Sequence, residues 1–175
     1  MAEYNINLPL SEEMISKLKI GDRVFLTGYI YTGRDAAHKK LIELINKKEK
    51  LPMNLENETI YYVGPSPAKE GQIIGSAGPT TSYRMDPYTK ALMEKGLKGM
   101  IGKGRRSQDV IDSIKKYKGI YFAAVGGAAA YISKCIKKKE LVAYEELGTE
   151  AILRLYVENF PVIVAIDSRG NNIYK

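Results

Sequence analysis

Three times along this chain an apolar run stops at a glycine turn and gives way to helical spacing, an order that restricts it to a layered α/β architecture. Residues 23–31 (Arg-Val-Phe-Leu-Thr-Gly-Tyr-Ile-Tyr) are rich in aromatic and β-branched side chains, which suit a pleated surface, and they end at Thr32-Gly33. From Arg34 onward, Ala37, Leu41, Leu44 and Ile45 share one helical face and lysines take the other, as far as Leu51-Pro52. The same order recurs in Gly99-Met100-Ile101, the Gly102-Lys103-Gly104 turn, and a helix capped by Ser107 with Val110, Ile111 and Ile114 turned inward. It returns in apolar residues 120–125, Gly126-Gly127, and a small-residue helix over 128–136. Residues 60–63 and 72–74 read as short strands, 140–144 and 151–157 as weaker ones, and 162–166 as a strong one before the Asp167-Ser168-Arg169-Gly170 turn. One domain over residues 1–175, built on a largely buried central sheet, is the expected architecture.

At 175 residues and 45% hydrophobic, the chain can bury one core, and no shift in composition divides it. It has no apolar run of about eighteen residues to span a membrane. Residues 1–22 lack the basic-then-apolar order of a secretory signal, so the expected location is the cytoplasm. Cys135 is the only cysteine, which rules out an internal disulfide and leaves this chain unable, by itself, to build a cysteine-ligated zinc site or an iron-sulfur cluster. The formal charge of +7 admits nucleic acid, an acidic partner or an anionic substrate. Lysines at Lys39-Lys40, Lys47-Lys48, Lys115-Lys116-Lys118 and Lys137-Lys138-Lys139 fall in the second halves of expected helices, where cations suit the helix dipole and face water. No basic stripe interleaved with aromatics occurs, as an RNA-binding face requires, so the excess reads as solvated surface with no nucleic acid bound. A non-enzymatic basic RNA-binding module stays as a distant alternative. Neither G-x-G-x-x-G opening a helix nor G-x-x-x-x-G-K-[ST] is present, so nucleotide binding has no motif behind it.

Chemistry concentrates in residues 75–86 (Gly-Ser-Ala-Gly-Pro-Thr-Thr-Ser-Tyr-Arg-Met-Asp). Gly75, Gly78 and Pro79 bend the backbone, while Thr80, Thr81, Ser82 and Arg84 bring hydroxyls and a guanidinium into one short arc, a means of holding a carboxylate. Asp86 reads as a helix N-cap and Pro87 as the first helical residue, the helix running to about Lys95 before Gly96. The plainer reading is an ordinary Gly/Pro turn. Two further junctions carry cations: Thr32-Gly33-Arg34-Asp35 with His38, and Gly102-Lys103-Gly104. Such junctions gather at one sheet edge in α/β domains, and together they describe a pocket for a small dianion. Each member has an alternative. Arg34 and Asp35 could form a surface ion pair, His38 could serve structure or solvent, Lys103 could be an exposed turn residue, and Arg105 and Arg106 read as surface residues at a helix start. Thr80 is a weak acid and a weak base unless another group takes its proton, and the chain offers no evident activator, which points to a partner.

Four segments in order now resemble a known family: Gly33-Arg34-Asp35-Ala36-Ala37-His38-Lys39, Gly78-Pro79-Thr80-Thr81 through Arg84-Met85-Asp86, Gly102-Lys103-Gly104, and Gly126-Gly127-Ala128-Ala129-Ala130. They look like the β subunit of the two-subunit class I fumarate hydratase and L-tartrate dehydratase family, equivalent to the C-terminal domain of its single-chain members. The likeness runs from about Ile15 to Ile173 and includes residues 142–148 and 158–161. It implies a swivelling β/β/α layered domain with a central mixed sheet flanked by helices, and a hydro-lyase reaction, the reversible hydration of fumarate to (S)-malate. The family's alternative substrate is L-tartrate, giving oxaloacetate. It also implies an α subunit whose three cysteines hold a 4Fe-4S cluster acting as a Lewis acid, and an α2β2 heterotetramer. Carried over residue by residue, the resemblance makes Thr80 the proton-transfer residue and Arg34 and Arg84 the carboxylate binders. Thr81 becomes a hydrogen-bond donor to substrate and Lys103 a further pocket residue, with Asp35 and His38 supporting Arg34 and lining the interface. No metal ligand falls on this chain. Ser82-Tyr83 stands where the motif is expected to carry smaller residues, which makes Tyr83 a candidate for tuning substrate choice.

Overall fold

The computed structural model describes residues 1–124 and 129–174. Strand β1 (Glu3–Asn7), helix α1 (Glu12–Lys17), β2 (Arg23–Thr32), α2 (Asp35–Asn46) and β3 (Thr59–Tyr61) form the first half. A long loop and a 3-10 turn (Ser82–Met85) lead into α3 (Asp86–Glu94), β4 (Gly99–Gly102), α4 (Gln108–Tyr117) and β5 (Ile120–Ala124). Then come α5 (Ala129–Cys135), β6 (Ile136–Ala143), a 3-10 segment (Glu145–Glu150) and the fifteen-residue β7 (Ile152–Ile166).

The seven strands run in the order β1-β2-β3-β4-β5-β7-β6, and β2 pairs with β7 as well. Strands β2, β3, β4 and β5 are mutually parallel in sequence, while β7 runs antiparallel to both β5 and β2. That second pairing closes β2, β3, β4, β5 and β7 into a ring. Alternation along each strand, a period of two, divides the side chains between two cores. Tyr61, Ile101, Phe122, Leu155, Phe160 and Val162 join one apolar cluster with β1 and α1. Their neighbours Ile60, Met100, Tyr121 and Ala165 join another with Leu41 of α2, Leu92 of α3 and Ile114 of α4. Helix α4 forms as its sequence predicts: Ser107 Oγ accepts from Val110 N at 3.3 Å, and Val110, Ile111 and Ile114 are buried.

Several expectations need correction. Residues 72–74 form no strand. The loop folds on itself there, with Ser66 N donating to Ser76 O at 3.0 Å and Gly75 N donating to Ser66 O at 3.1 Å, so local turns take the backbone groups a strand would offer. The segments 151–157 and 162–166 are one strand, because Phe160 and Pro161 continue the ladder against Leu26 and Phe25. Lys137, Lys138 and Lys139 lie on the terminal strand β6 rather than a helix, at an edge of the sheet. Asp86 does not cap α3; Met85 holds the N-cap position, and the Asp86 carboxylate is engaged elsewhere. The Gly126-Gly127 turn and the start of the small-residue helix lie outside the described residues.

Candidate active site

Because β2, β3 and β4 are parallel, the loops leaving their C-terminal ends meet on one rim of the sheet. Backbone hydrogen bonds stitch those loops together. Gly33 N donates to Tyr61 O at 3.0 Å, Tyr62 N to Ile101 O at 2.8 Å, Thr80 N to Tyr62 O at 2.9 Å, and Ser82 N to Lys103 O at 2.9 Å. Thr81 and Lys103 form a parallel bridge. The three junctions that the sequence marked therefore lie on one rim, and the pairing of residue 81 with 103 brings a hydroxyl loop beside a lysine loop.

Arg34 sits at the N-cap position of α2 without a side-chain cap of its own. Its stem lies across Gly64: a Cβ there would stand 2.9 Å from Arg34 Cδ and 3.0 Å from Nη1, so only a hydrogen leaves room for the guanidinium. Asp35 pairs with Arg84 across the two loops, rather than with its neighbour Arg34. Both partners are partly open to water, so screening keeps the energetic worth of this pair small. Thr80 Oγ1 donates to Tyr62 O at 2.9 Å, the same carbonyl its backbone N–H reaches, which leaves the hydroxyl's lone pairs for other donors. Lys103 and Tyr83 are exposed on the rim, Tyr83 at 62%.

His38 is buried at 1% exposure, one turn into α2. Its Nδ1 lies 2.8 Å from Arg34 O, and since a carbonyl can only accept, Nδ1 carries the proton. Tyr62 meets the imidazole edge-on at 5.5 Å. Burial dominates its titration and lowers its pKa to about 4, with the nearby Arg106 charge pushing the same way against the Arg34 carbonyl and Asp35. Three buried polar atoms without a hydrogen-bond partner occur here: Arg34 Nε, Asp35 Oδ1 and His38 Nε2.

Beneath the rim lies a residue the sequence misplaces. Arg106 is 6% exposed, not a surface residue. Its Nε donates to Asp86 Oδ1 at 2.6 Å, and its Nη2 donates to Thr89 Oγ1 at 3.0 Å and to the Tyr62 hydroxyl at 3.2 Å. The guanidinium carbon also lies 5.2 Å from the Tyr62 ring centroid and 4.8 Å from that of Tyr121. Burial works against its charge, and Tyr62, Asp86 and Tyr121 more than offset that, so it stays protonated. The second Asp86 oxygen accepts from Ser107 N at 2.7 Å. No sequence signal separates Arg106 from Arg105; its burial is set by Asp86, Tyr62 and Tyr121, which arrive from three separate segments.

The chain's own residues do not fit an iron-sulfur cluster. Cys135 supplies one thiol, 5% exposed, 3.8 Å from Asn159 O, with its pKa raised by burial. Among the described residues, no three His, Cys, Asp or Glu side chains gather as metal ligands, and no helix is long and apolar enough to cross a membrane.

The model of the family described as the C-terminus of fumarase matches residues 1–175. The chain belongs to the fumarase C-terminus family. It is 42% identical over 98% of its length to the aerobic class I fumarate hydratase of Salmonella typhimurium, covering 30% of that protein. It is likewise 42% identical over 99% of its length to the anaerobic class I fumarate hydratase of Escherichia coli, covering 32%. This fumarase C-terminus member thus spans about a third of those relatives. By contrast, it covers 91% of a Methanocaldococcus jannaschii protein named "Putative L(+)-tartrate dehydratase subunit beta", at 40% identity over 99% of its own length.

Proposed function

We propose that this chain is the β subunit of a two-subunit hydro-lyase and supplies the carboxylate-binding and proton-transfer side of a site that hydrates fumarate reversibly to (S)-malate. The observation that carries this reading is the single rim on which Arg34, Thr80, Thr81, Arg84 and Lys103 meet, in a chain of the fumarase C-terminus family. In this proposal Arg34 and Arg84 grip the two carboxylates of the substrate. Removing a proton beside a carboxylate pushes charge onto it, and fixed guanidinium donors favour that more charged transition state. Thr81 and Lys103 complete the polar wall, and Thr80 moves the proton at the carbon that loses hydrogen. Asp35 holds Arg84, and His38 holds the carbonyl of Arg34. Tyr62 O accepts the Thr80 hydroxyl but is no base, so the group that activates Thr80 comes from elsewhere.

The partner is an α subunit carrying the 4Fe-4S cluster, in keeping with a single buried cysteine here, and the assembly is an α2β2 heterotetramer in the cytoplasm. The domain layering is the swivelling β/β/α arrangement. L-tartrate dehydration is the second reading, favoured by the near-complete coverage of the archaeal β-subunit-named relative.

The test is anaerobic reconstitution of this chain with its candidate α subunit, iron and sulfide, following malate and tartrate dehydration side by side. Turnover of one substrate is expected, and turnover of neither would overturn the reading. Thr80→Ala should lower kcat by about 10²–10⁴-fold, the usual range for a positioned acid or base. Its fold should survive, since the backbone N–H of residue 80 keeps its bond to Tyr62 O.

A further inference from the structure

We propose that Arg106 is the positioning residue of the rim: its guanidinium sets the geometry of residues 80–86 and, through residues 103–106, ties Lys103 to that geometry. The proposal builds on the hydro-lyase reading. Beside the Arg84–Asp35 ion pair and the backbone pairing of residues 81–82 with Lys103, four anchors of the loop carrying Thr80, Thr81 and Arg84 converge on this one side chain. Thr80 hangs from the Tyr62 carbonyl by both its backbone and its hydroxyl, and the Tyr62 hydroxyl and ring are held by Arg106. Ser82 Oγ donates at 2.7 Å to the Tyr121 hydroxyl, which gives its own proton to Gly104 O at 2.9 Å and whose ring is packed against the same guanidinium. Met85 O accepts from Thr89 Oγ1 at 2.9 Å, and that oxygen accepts from Arg106 Nη2 at 3.0 Å. Asp86, two residues past Arg84, closes the loop with a 2.6 Å bond to Nε.

A lysine could not replace these contacts. The planar fork reaches Asp86 with one nitrogen, Thr89 and Tyr62 with another, and stacks between two rings, whereas an ammonium is a single point. Stability alone is a poor reason to bury such a pair, because a buried ion pair often does no better than apolar residues of similar volume. What a fully hydrogen-bonded charge adds is a unique arrangement of the loops around it. Nor does Arg106 act as a further anion-binding charge. Asp86 neutralises it, and its side chain is closed to solvent.

The experiment compares Arg106→Lys, the apolar pair Arg106→Met with Asp86→Leu, and Arg169→Met. Arg169 binds Ser16 O and Leu18 O beside the other end of the sheet, which makes it a control for loss of stability away from the rim. Amide exchange over residues 80–86 is read in the isolated chain, and kcat and KM in the reconstituted complex. Both Arg106 variants should speed exchange over residues 80–86 by at least about tenfold. They should lower kcat/KM by about 10²-fold, the scale of a displacement near 1 Å. Arg169→Met should leave both unchanged even where it lowers Tm further. Wild-type exchange and kinetics in Arg106→Lys would overturn the proposal, as would an equal loss in Arg169→Met. If the wild-type complex turns over neither substrate, the hydro-lyase reading falls, and the exchange data alone decide whether Arg106 sets the loop. If the apolar pair fails to fold, Arg106→Lys decides.

Discussion

A neutral imidazole buried against a tyrosine ring gives the first test at the level of single residues. The pKa of His38 is about 4 in the fold, against an ordinary value of 6.5. Between those values the unfolded chain binds the extra proton and the folded chain does not, so the contribution is intact above pH 6.5 and is lost as pH falls toward 4. The full loss amounts to roughly 3 kcal/mol at 1.36 kcal/mol per pH unit. Urea unfolding of the wild type and of His38→Gln between pH 7.5 and 4.5 should show a flatter profile in the variant, and parallel profiles would refute the assignment. At this scale the sequence marks Arg34 and Lys103 by the glycine turns at the ends of β2 and β4, and Thr80, Thr81 and Arg84 by a Gly/Pro-rich loop that follows no strand. Arg106 is not legible, since burial is decided by Asp86, Tyr62 and Tyr121 arriving from three separate segments. Asp86 misleads for a related reason: an aspartate before a proline has the pattern of a helix cap, and a buried arginine competes for the same carboxylate.

Strand β4 ends in a glycine for want of space. A Cβ on Gly102 would stand 1.9 Å from Ser82 Oγ and 2.8 Å from Tyr62 Cδ2. Gly102→Ala should therefore push the Ser82 turn away from the strand and destabilise the chain by about 1–3 kcal/mol, the usual cost of overpacking. Thermal unfolding measures that loss, and a variant with unchanged Tm would mean the loop yields freely. The strand–turn–helix units were readable from alternating apolar residues and their closing glycines, as in β2 with α2 and β4 with α4. Only the second half of strand β6 was, in the weaker reading of residues 140–144; the Lys-Lys-Lys-Glu run shows no alternation, and its pairing with β7 supplies what local preference lacks. Strand β1 and helix α1 went unmarked for a similar reason, with their few apolar residues, among them Ile6 and Ile15, finding a core only once β2 is in place.

Across the whole molecule the charge of +7 is unevenly used, and the run Lys137-Lys138-Lys139 occupies a terminal strand. If these lysines keep that edge from pairing with another chain, replacing all of them with Thr should make the isolated protein self-associate with rising concentration. Light scattering across a dilution series would register it, and a variant that stays monomeric would refute it. Single-stranded RNA affinity that collapses with salt would instead favour the basic binding module. Closure of the ring has a different consequence, one of timing. Thr32 and Ala151, hydrogen-bonded across the β2–β7 side, are 119 positions apart. During synthesis the loops carrying Arg34 and Thr80 leave the ribosome long before β7 exists, and pairings this distant form late because the intervening chain must first be ordered. On the two-subunit reading proposed above, a partner that recognises the finished rim has nothing complete to bind until β7 docks, so the order of translation would itself delay assembly.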